Sequence, residues 1–267
     1  MINSRTHLFC VLGSPVRHSK SPLIHNRAFR DNQINAVYLA FEPVDIGLAV
    51  TSIRTLGISG ASVTLPFKET VMKHLDWIDE EALAIGAVNT IVNRDGKLSG
   101  YNTDSKAAVN PLKQFGIKDK TVCIVGAGGA AKAVAYGIWK NQGNVVITNR
   151  TVQKGRDLAD RFQGRFLQAD ELQFLKIDIV INTTPLGMEP HLDQMPFPEK
   201  YLRPEMVVMD AVYTPLNTRL ISTAREKGCH VVDGLSMFVS QGAAQFKLWT
   251  GKEPDLDILR RTVLENG

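Results

Sequence analysis

The stretch Val122-Cys123-Ile124-Val125-Gly126-Ala127-Gly128-Gly129-Ala130-Ala131 decides the fold of one half of this chain. Four apolar residues typical of a buried strand lead directly into a Gly-x-Gly-x-x-Ala turn and then a helical segment. Gly126 permits the tight turn, Gly128 lets a phosphate approach the backbone, and Ala131 allows close helix–strand packing. A second strand at 145–148 completes the spacing of a Rossmann half, which favours dinucleotide binding over a merely glycine-rich turn.

The end of that second strand indicates which dinucleotide binds. An NAD site usually has an acid about 20 residues after the first glycine, whereas this chain has Asn149-Arg150-Thr151, with Lys154 one turn on. An arginine and a lysine beside a hydroxyl suit the 2′-phosphate, because charge-assisted bonds to phosphate favour arginine. The sequence therefore predicts NADP. The alternative is that Thr151 caps a helix while Arg150 and Lys154 are solvated.

Strands and helices alternate along nearly the whole chain, which is typical of α/β proteins with mostly parallel sheets. In the first half, strands are predicted at 7–12, 36–41, 60–64 and 88–93, with a helix at 45–56. In the second half, strands are predicted at 121–125, 145–148, 177–182 and 207–210, with helices at 129–141, 152–162 and 216–227. A helix over 104–115 that ends at Gly116 links the halves, and helices at 236–249 and 256–265 close the chain.

The length of 267 residues predicts two domains. We expect an α/β substrate-binding catalytic domain at 1–104, a Rossmann NADP-binding domain at 105–235, and C-terminal helices at 236–267 that pack back on the first domain. Since the net charge of +4 comes without a basic run, nucleic acid is not an expected partner. We expect a small-molecule substrate instead.

Cysteine and histidine usage points to a reducing compartment and no metal. Cys10, Cys123 and Cys229 are far apart, and the first two lie in apolar runs, which suits free buried thiols better than disulfides. The six histidines show no metal-ligand spacing. No apolar stretch is long enough for a signal segment or a membrane span. We expect a cytoplasmic protein, monomeric or homodimeric.

In the first half, Ser62-Val63-Thr64-Leu65-Pro66-Phe67-Lys68 is the most informative stretch. The alternation places Ser62 and Thr64 on one face, and Pro66 ends the strand because it has no N–H to donate. Lys68 is then expected to open the next helix, with its ammonium group facing a cleft. Asn89 and Asp104 lie beside other regular elements, where α/β folds collect binding groups. This combination predicts a site for a polyhydroxylated anion on which a proton is moved.

Two serines near the first helix suit a substrate carboxylate. Ser21 precedes Pro22, which predicts Ser21 as N-cap and Pro22 as first helical residue. A carboxylate at such a helix start gains from hydroxyls and free N–H groups together. Ser19 has no structural role that the sequence shows, so we predict Ser19 and Ser21 as carboxylate ligands.

From about Phe9 to Trp249 the chain resembles the shikimate dehydrogenase family. The matching motifs are Gly13-Ser14-Pro15-Val16-Arg17-His18-Ser19-Lys20-Ser21-Pro22, Val63-Thr64-Leu65-Pro66-Phe67-Lys68-Glu69, Gly86-Ala87-Val88-Asn89-Thr90, Gly100-Tyr101-Asn102-Thr103-Asp104, the glycine turn, Asn149-Arg150-Thr151, Asn182-Thr183-Thr184-Pro185-Leu186-Gly187-Met188, and the segment 234–241.

The resemblance implies NADPH-dependent, reversible reduction of 3-dehydroshikimate to shikimate, in the chorismate pathway to aromatic amino acids. The substrate residues that it implies are Ser19, Ser21, Thr64, Lys68, Asn89, Asp104, Tyr213 and Gln241. Besides the glycine turn, the cofactor residues that it implies are Asn149, Arg150, Thr151, Lys154, Glu80, Ala211 and Gly234.

The chemistry requires an acid–base group. Hydride leaves a carbinol carbon only as the hydroxyl proton is taken up. Lys68 and Asp104 are the predicted catalytic pair, because a carboxylate favours the protonated lysine, whereas a cationic nicotinamide favours release of the proton. Which of the two finally holds the proton is a coupled titration, and both assignments stay open.

One position departs from the family pattern, which usually has Asn-Val-Thr where this chain has Ser62-Val63-Thr64. Because Ser62 is expected on the face of Thr64, its smaller side chain predicts a wider cleft near Lys68. A quinate/shikimate dehydrogenase, or a related enzyme for another cyclohexane carboxylate, is therefore an alternative. A non-catalytic dinucleotide-binding sensor is a second alternative, against which the presence of Lys68 and Asp104 argues.

Overall fold

The computed structural model describes residues 2–266. The chain forms two compact units by contact density. One contains the residues up to Thr103 together with those from Val239 onward, and the other contains Asp104–Phe238. Both are mixed α/β units, as the alternation of strands and helices predicts.

The first part of the chain builds one sheet and its helices. In chain order these elements are β1 His7–Leu12, α1 Ser21–Asp31, β2 Ala36–Phe41, α2 Ile46–Thr55, β3 Gly60–Val63, a 3₁₀ helix Thr70–His74, β4 Trp77–Ile78, α3 Glu80–Ile85, β5 Thr90–Arg94 and β6 Lys97–Tyr101.

The rest of the chain builds the second sheet and the closing helices. These elements are α4 Asp104–Val109, a 3₁₀ helix Asn110–Phe115, β7 Thr121–Val125, α5 Gly129–Lys140, β8 Asn144–Thr148, α6 Val152–Arg161, β9 Arg165–Phe166, β10 Ile179–Asn182, β11 Val207–Asp210, α7 Arg219–Glu226, β12 His230–Val232, α8 Gly234–Thr250 and α9 Leu256–Glu265, besides two short 3₁₀ turns at Glu171–Phe174 and Glu199–Tyr201.

The second unit has the predicted Rossmann sheet. Its strand order is β12-β11-β10-β7-β8-β9, and each neighbouring pair is parallel. The chain runs outward from β7 in both directions, so the turn after β7 lies at the topological switch point, where doubly wound sheets bind ligands. The glycine turn therefore stands at the position that such a sheet uses for a dinucleotide.

The sheet of the first unit has the order β2-β1-β3-β5-β6-β4. It is parallel except that β5 runs antiparallel to both β3 and β6. The β5–β6 hairpin turns at Asp95 and Gly96, whose φ angles of 53° and 82° belong to a primed two-residue turn. The Asp-Gly pair is a strong local signal for a hairpin, but neither this hairpin nor β6 is among the predicted elements.

Several predicted boundaries are wrong for local reasons. The helix predicted over 104–115 is α-helical only to Val109 and continues as a 3₁₀ helix that contains Pro111, since proline cannot donate an i→i−4 bond. The helix predicted from 216 begins at Arg219, after Thr218 caps it through a bond from the Ile221 N–H. Lys68 opens no helix. It lies in a turn, and the 3₁₀ helix begins only at Thr70.

Helix α8 packs back on the first unit, as predicted. The rings of Phe9 on β1 and Trp249 on α8 lie 5.2 Å apart, and those of Phe29 on α1 and Phe246 on α8 lie 5.3 Å apart. The indole of Trp249 also donates to the Ile91 carbonyl at 2.9 Å. Within residues 2–266, no helix combines the length and apolar character needed to cross a bilayer.

Candidate active site

Backbone hydrogen bonds tie the strand end that carries Thr64 to the segment that carries Asn89. The Val63 N–H donates to the Asn89 carbonyl, and the Val88 N–H donates to the Lys68 carbonyl, both at 2.8 Å. Lys68 is half-buried. Thr64, Lys68 and Asn89 thus lie at one corner of the first unit, beyond the carboxyl end of β3.

Gly13 gives Thr64 its room. A Cβ atom on Gly13 would lie 2.3 Å from Thr64 Cγ2 and 3.2 Å from the Leu65 carbonyl oxygen, so a larger residue there must displace Thr64. The sequence reading counts Gly13 only as part of a motif. Its position directly after the last residue of β1 is the signal that marks a close approach of backbone.

The Asn89 side chain is buried and held at both ends. Its Nδ2 donates to Thr103 Oγ1 at 2.9 Å, while its Oδ1 accepts from the Thr103 N–H at 2.9 Å and from Thr90 Oγ1 at 2.7 Å. Thr103 Oγ1 in turn donates to the Gln241 carbonyl at 3.2 Å. The structure therefore brings Gln241 of α8 to the same corner as Asn89.

Ser19 and Ser21 are in direct contact. Ser19 Oγ donates to Ser21 Oγ at 3.1 Å and accepts from the Ser21 N–H at 3.2 Å. Lys20 is the N-cap residue of α1, and Ser21 and Pro22 are its first two helical residues. Two expectations are therefore wrong. Ser21 is not the N-cap residue of α1, and Ser19 does have a structural role. Its hydroxyl satisfies one of the free N–H groups at the helix start.

Ser62 does not widen a cleft. Its side chain is only 6% exposed. Its hydroxyl accepts from the Tyr38 hydroxyl at 2.6 Å and donates to Gln245 Oε1 at 2.8 Å. The expectation of a larger cleft is therefore wrong, because the volume beside Ser62 is filled by side chains from β2 and α8 that are distant in sequence.

The other predicted substrate residues lie in the second unit. Asp104 is the first residue of α4 and is buried. Tyr213 follows β11, and its ring stacks on that of Phe238 with centroids 4.1 Å apart and 19° between the planes. This stacking fixes the ring of Tyr213 in its own unit.

A separate cavity of about 760 Å³ lies at the carboxyl ends of β1, β2 and β3. The residues around it include Ser14, Arg17 and Glu42, which are linked by a hydrogen bond of 3.2 Å and an ion pair of 3.9 Å. None of the predicted substrate residues lines it. Size alone does not make this cavity the reaction site.

The glycine turn after β7 fits a dinucleotide. Gly126 has a φ of +118°, and a Cβ there would lie 2.6 Å from Thr183 Oγ1, so the protein itself requires glycine. Gly128 is extended, and a Cβ there would meet no protein atom within 4 Å. Nothing in the described protein requires glycine at 128, whereas close approach of a pyrophosphate would. Ala127, Gly129 and Ala130 complete the turn and the start of α5, whose N–H groups suit an anion.

The segment after β8 leaves its polar groups available. Thr151 is the N-cap residue of α6, but its side chain makes no capping hydrogen bond. Asn149 Nδ2 donates to the Thr151 carbonyl at 2.9 Å. Arg150 and Lys154 are exposed, and neither forms an ion pair with another residue in 2–266. The capping alternative therefore does not account for Thr151, and this donor set suits a 2′-phosphate.

Ala211 and Gly234 come together in the second unit. The Ala211 N–H donates to the Asn182 carbonyl at 2.9 Å. A Cβ on Gly234 would lie 2.2 Å from the Val212 carbonyl oxygen, so the start of α8 packs directly on the residue after Ala211. Glu80, the remaining predicted cofactor contact, opens α3 in the first unit.

A buried carboxyl that the sequence reading misses organises this region. Asp210 is fully buried and accepts hydrogen bonds from Asn182 Nδ2, the Val212 N–H and Thr218 Oγ1 at 2.7–2.9 Å. Burial nevertheless raises the pKa of Asp210 to about 6, because the charged form loses its hydration. Asp210 thus connects β10, β11 and α7 around Ala211.

The described residues show no grouped metal ligands. Within 2–266, no three histidine, cysteine, aspartate or glutamate side chains lie together in a way that could hold a metal ion. Cys10, Cys123 and Cys229 are free and buried.

Three family models match successive parts of the chain. The shikimate dehydrogenase substrate binding domain matches residues 11–91, the shikimate/quinate 5-dehydrogenase family matches 110–194, and the shikimate 5′-dehydrogenase C-terminal domain matches 234–264.

Individual proteins match over nearly the full length. A shikimate dehydrogenase (NADP⁺) of Pyrococcus furiosus is 45% identical over 99% of this chain and 97% of its own, and that of Methanocaldococcus jannaschii is 42% identical over 99% of both. A crystal structure of a shikimate dehydrogenase in complex with NADP⁺ is 41% identical, with a TM-score of 0.94 over 100% of this chain and 97% of the other.

Proposed function

This chain belongs to the shikimate dehydrogenase family, and on that premise we propose that it catalyses the NADP-dependent, reversible reduction of 3-dehydroshikimate to shikimate. The observation that carries the proposal is the 45% identity, over nearly the whole of both chains, to a relative named shikimate dehydrogenase (NADP⁺). The chain is therefore an oxidoreductase that acts on a CH–OH group with NADP as cofactor. This makes the non-catalytic sensor the weaker alternative.

The proposed chemistry assigns the proton to Lys68. NADPH supplies a hydride to the carbonyl carbon of the substrate. Lys68, in its ammonium form, donates a proton to the carbonyl oxygen during reduction and takes it back during oxidation. Asp104 accepts a hydrogen bond from a substrate hydroxyl and favours the protonated form of Lys68. The half-buried position of Lys68 beside Asn89 supports this assignment.

The other substrate residues are proposed to bind and orient. Ser19 and Ser21, at the start of α1, hold the carboxylate. Thr64, Asn89 and Gln241 hold ring hydroxyls, and their common corner in the first unit supports this role. Tyr213 is proposed as a further substrate contact.

Each proposed cofactor residue is assigned to the part of the dinucleotide that it would hold. The turn Gly126, Ala127, Gly128, Gly129 and Ala130 holds the pyrophosphate, and Asn149, Arg150, Thr151 and Lys154 hold the 2′-phosphate. Ala211, Gly234 and Glu80 are proposed as the remaining contacts. The open space at Gly128, and the exposed charges of Arg150 and Lys154, which form no ion pair within residues 2–266, support these assignments.

Broader features of the protein are also proposed. A cytoplasmic location is supported by the three free, buried thiols, which suit a reducing compartment. We propose a monomer or homodimer, and the domain boundaries at 104/105 and 235/236 as the functional division of the chain. Quinate is the second candidate substrate, because one matching family is described as shikimate/quinate 5-dehydrogenase.

The deciding experiment follows NADPH oxidation by the purified protein with 3-dehydroshikimate, and NADP⁺ reduction with shikimate and with quinate. A kcat/KM for shikimate well above that for quinate is expected. Lys68→Ala should lower kcat by about 10²–10⁴, the range for loss of a positioned acid–base group, while the melting temperature is unchanged. The matched control is Lys73→Ala, because Lys73 is an exposed lysine of the following 3₁₀ helix. A Lys68→Ala enzyme that keeps most of its kcat would contradict the assignment.

A further inference from the structure

A directional series of hydrogen bonds runs through the interior of the first unit. It starts at the Tyr38 hydroxyl, which donates to Ser62 Oγ at 2.6 Å, and Ser62 donates to Gln245 Oε1 at 2.8 Å. Gln245 Nε2 donates to the Asn89 carbonyl at 3.0 Å and to Thr90 Oγ1 at 3.1 Å. In such a series each bond polarises the next, so the groups are held as a unit.

The series continues into the proposed substrate corner. Thr90 Oγ1 donates to Asn89 Oδ1, and Asn89 Nδ2 donates to Thr103 Oγ1. Thr103 Oγ1 then donates to the backbone carbonyl of Gln241. The Asn89 side chain is therefore oriented by this connected set of bonds, and the backbone of α8 at Gln241 is tied to the same set.

Gln245 is the link between the two halves of this series. It lies one helical turn after Gln241 on α8, its side chain is 1% exposed, and both hydrogens of its amide are donated. Tyr38 and Trp249 pack around the buried His25 ring at centroid distances of 4.4 and 5.0 Å, which excludes water from this side. Without the Gln245 amide, the Thr90 hydroxyl and the Asn89 carbonyl would each lose a donor in the interior.

Gln245 also accounts for the departure at Ser62. Ser62 lies directly opposite Thr90 across the β3–β5 pair, so side chains at the two positions are neighbours on one face of the sheet. A longer amide at position 62 would reach Thr90 itself. In this chain the residue at 62 is short, and the amide comes from α8 instead.

We propose that Gln245 is a positioning residue for catalysis, which supplies from α8 the buried amide that fixes the Asn89 side chain, and with it the backbone at Gln241, for substrate binding. The proposal rests on the proposed function of Asn89 and Gln241. It assigns to Gln245 no contact with the substrate. It also makes Ser62 and Gln245 a coupled pair, in which an amide is needed at one of the two positions.

The test compares Gln245→Met, which keeps the side-chain length but donates no hydrogen bond, with the wild-type enzyme. We expect the KM for 3-dehydroshikimate to rise about ten-fold, the effect of losing one to two neutral hydrogen bonds, with the KM for NADPH unchanged. The matched control is Asn93→Ala. Asn93 lies on β5, the strand that begins at Thr90. Its side-chain amide donates to the Ile58 carbonyl and accepts from the Gly96 N–H. This control should lose stability without a change in either KM.

A rescue variant separates positioning from packing. Ser62→Asn combined with Gln245→Ala returns an amide opposite Thr90, and its KM for 3-dehydroshikimate should fall back to within about three-fold of wild type, a residual of less than one hydrogen bond. Gln245→Ala alone should not recover. A Gln245→Met enzyme with lower stability but unchanged KM would overturn the proposal, as would a double variant no better than Gln245→Ala.

One further variant distinguishes this proposal from the proposed function. If Asn89→Ala raises the KM but Gln245→Met does not, only the positioning role of Gln245 fails. If the wild-type enzyme shows no turnover, or Asn89→Ala has no effect, the proposed site fails. In that case crystal structures of wild type and Gln245→Met still decide, because an Asn89 side chain that stays in place without the Gln245 amide overturns the inference whatever the activity.

Discussion

Asp210→Asn should change how the stability of the protein depends on pH. Asp210 is fully buried in the second unit, and burial raises the pKa of its carboxyl from 3.8 to about 6, although three hydrogen bonds oppose the rise. An asparagine keeps nearly the same shape. Its oxygen can accept from Asn182 and Val212, and its amide can donate to the Thr218 hydroxyl after that hydroxyl rotates.

The sign and size of the effect follow from proton linkage. Because the pKa of Asp210 is raised, the native protein binds the proton more tightly than the unfolded chain. The resulting stabilisation is fully present below about pH 4 and is lost as the pH rises through about 6. A rise from 3.8 to about 6 corresponds to about 3 kcal/mol. Asparagine has no such titration, so its free energy of unfolding relative to wild type should increase by up to this amount over the window.

The assay is urea unfolding of both proteins at several values from about pH 4.5 to about pH 8, a range that spans the titration of the native carboxyl. Because the other titrating groups are common to both proteins, their contributions cancel in the difference between the two unfolding free energies. Asp76→Asn is the control, since hydrogen bonds from the Leu98 N–H and Arg54 lower the pKa of Asp76 from its ordinary 3.8. Because this titration lies below the assay range, the difference between that variant and wild type should stay nearly constant across it. A difference between Asp210→Asn and wild type that stays constant across the range would refute the reasoning.

Three further predictions concern ligand binding. Arg150→Ala should weaken NADP by about 1.5–3 kcal/mol, one charged hydrogen bond, and leave NAD nearly unchanged; equal kcat/KM of the wild type with both cofactors would contradict this. Gly126→Ala should destabilise the fold by about 2–5 kcal/mol through its positive φ and its contact with Thr183, whereas Gly128→Ala should keep the melting temperature and raise the KM for NADP; the reverse pattern in thermal unfolding and kinetics would be incompatible with the turn geometry. Ser19→Ala should raise the KM for shikimate with little change in kcat and cost about 1 kcal/mol of stability, because its hydroxyl accepts from the N–H of Ser21; a large fall in kcat at unchanged KM would instead give Ser19 a chemical role.

Local sequence was sufficient for most of the second unit. The apolar strand before Gly126, the glycine spacing and the helix after it follow from steric rules that act within about ten residues, and the parallel sheet that they predict is confirmed. The absence of an acid after β8 likewise indicates NADP without any knowledge of tertiary contacts. Where the local reading failed, as at Asp95 and Gly96, the signal was present in the sequence.

The sequence by itself determined the two α/β units and the glycine turn, because each depends on neighbours along the chain, and the proposed reactive groups Lys68 and Asp104 were chosen from it. Only the tertiary structure decided how the polar groups of the first unit are paired. Ser62 bonds to Tyr38, 24 residues away, and to Gln245, 183 residues away. Local periodicity carries no information about such separations, since the partners meet only when β2, β3 and α8 pack together. For that reason a serine that predicts a wider cleft is instead a buried link in the bonds that hold Asn89.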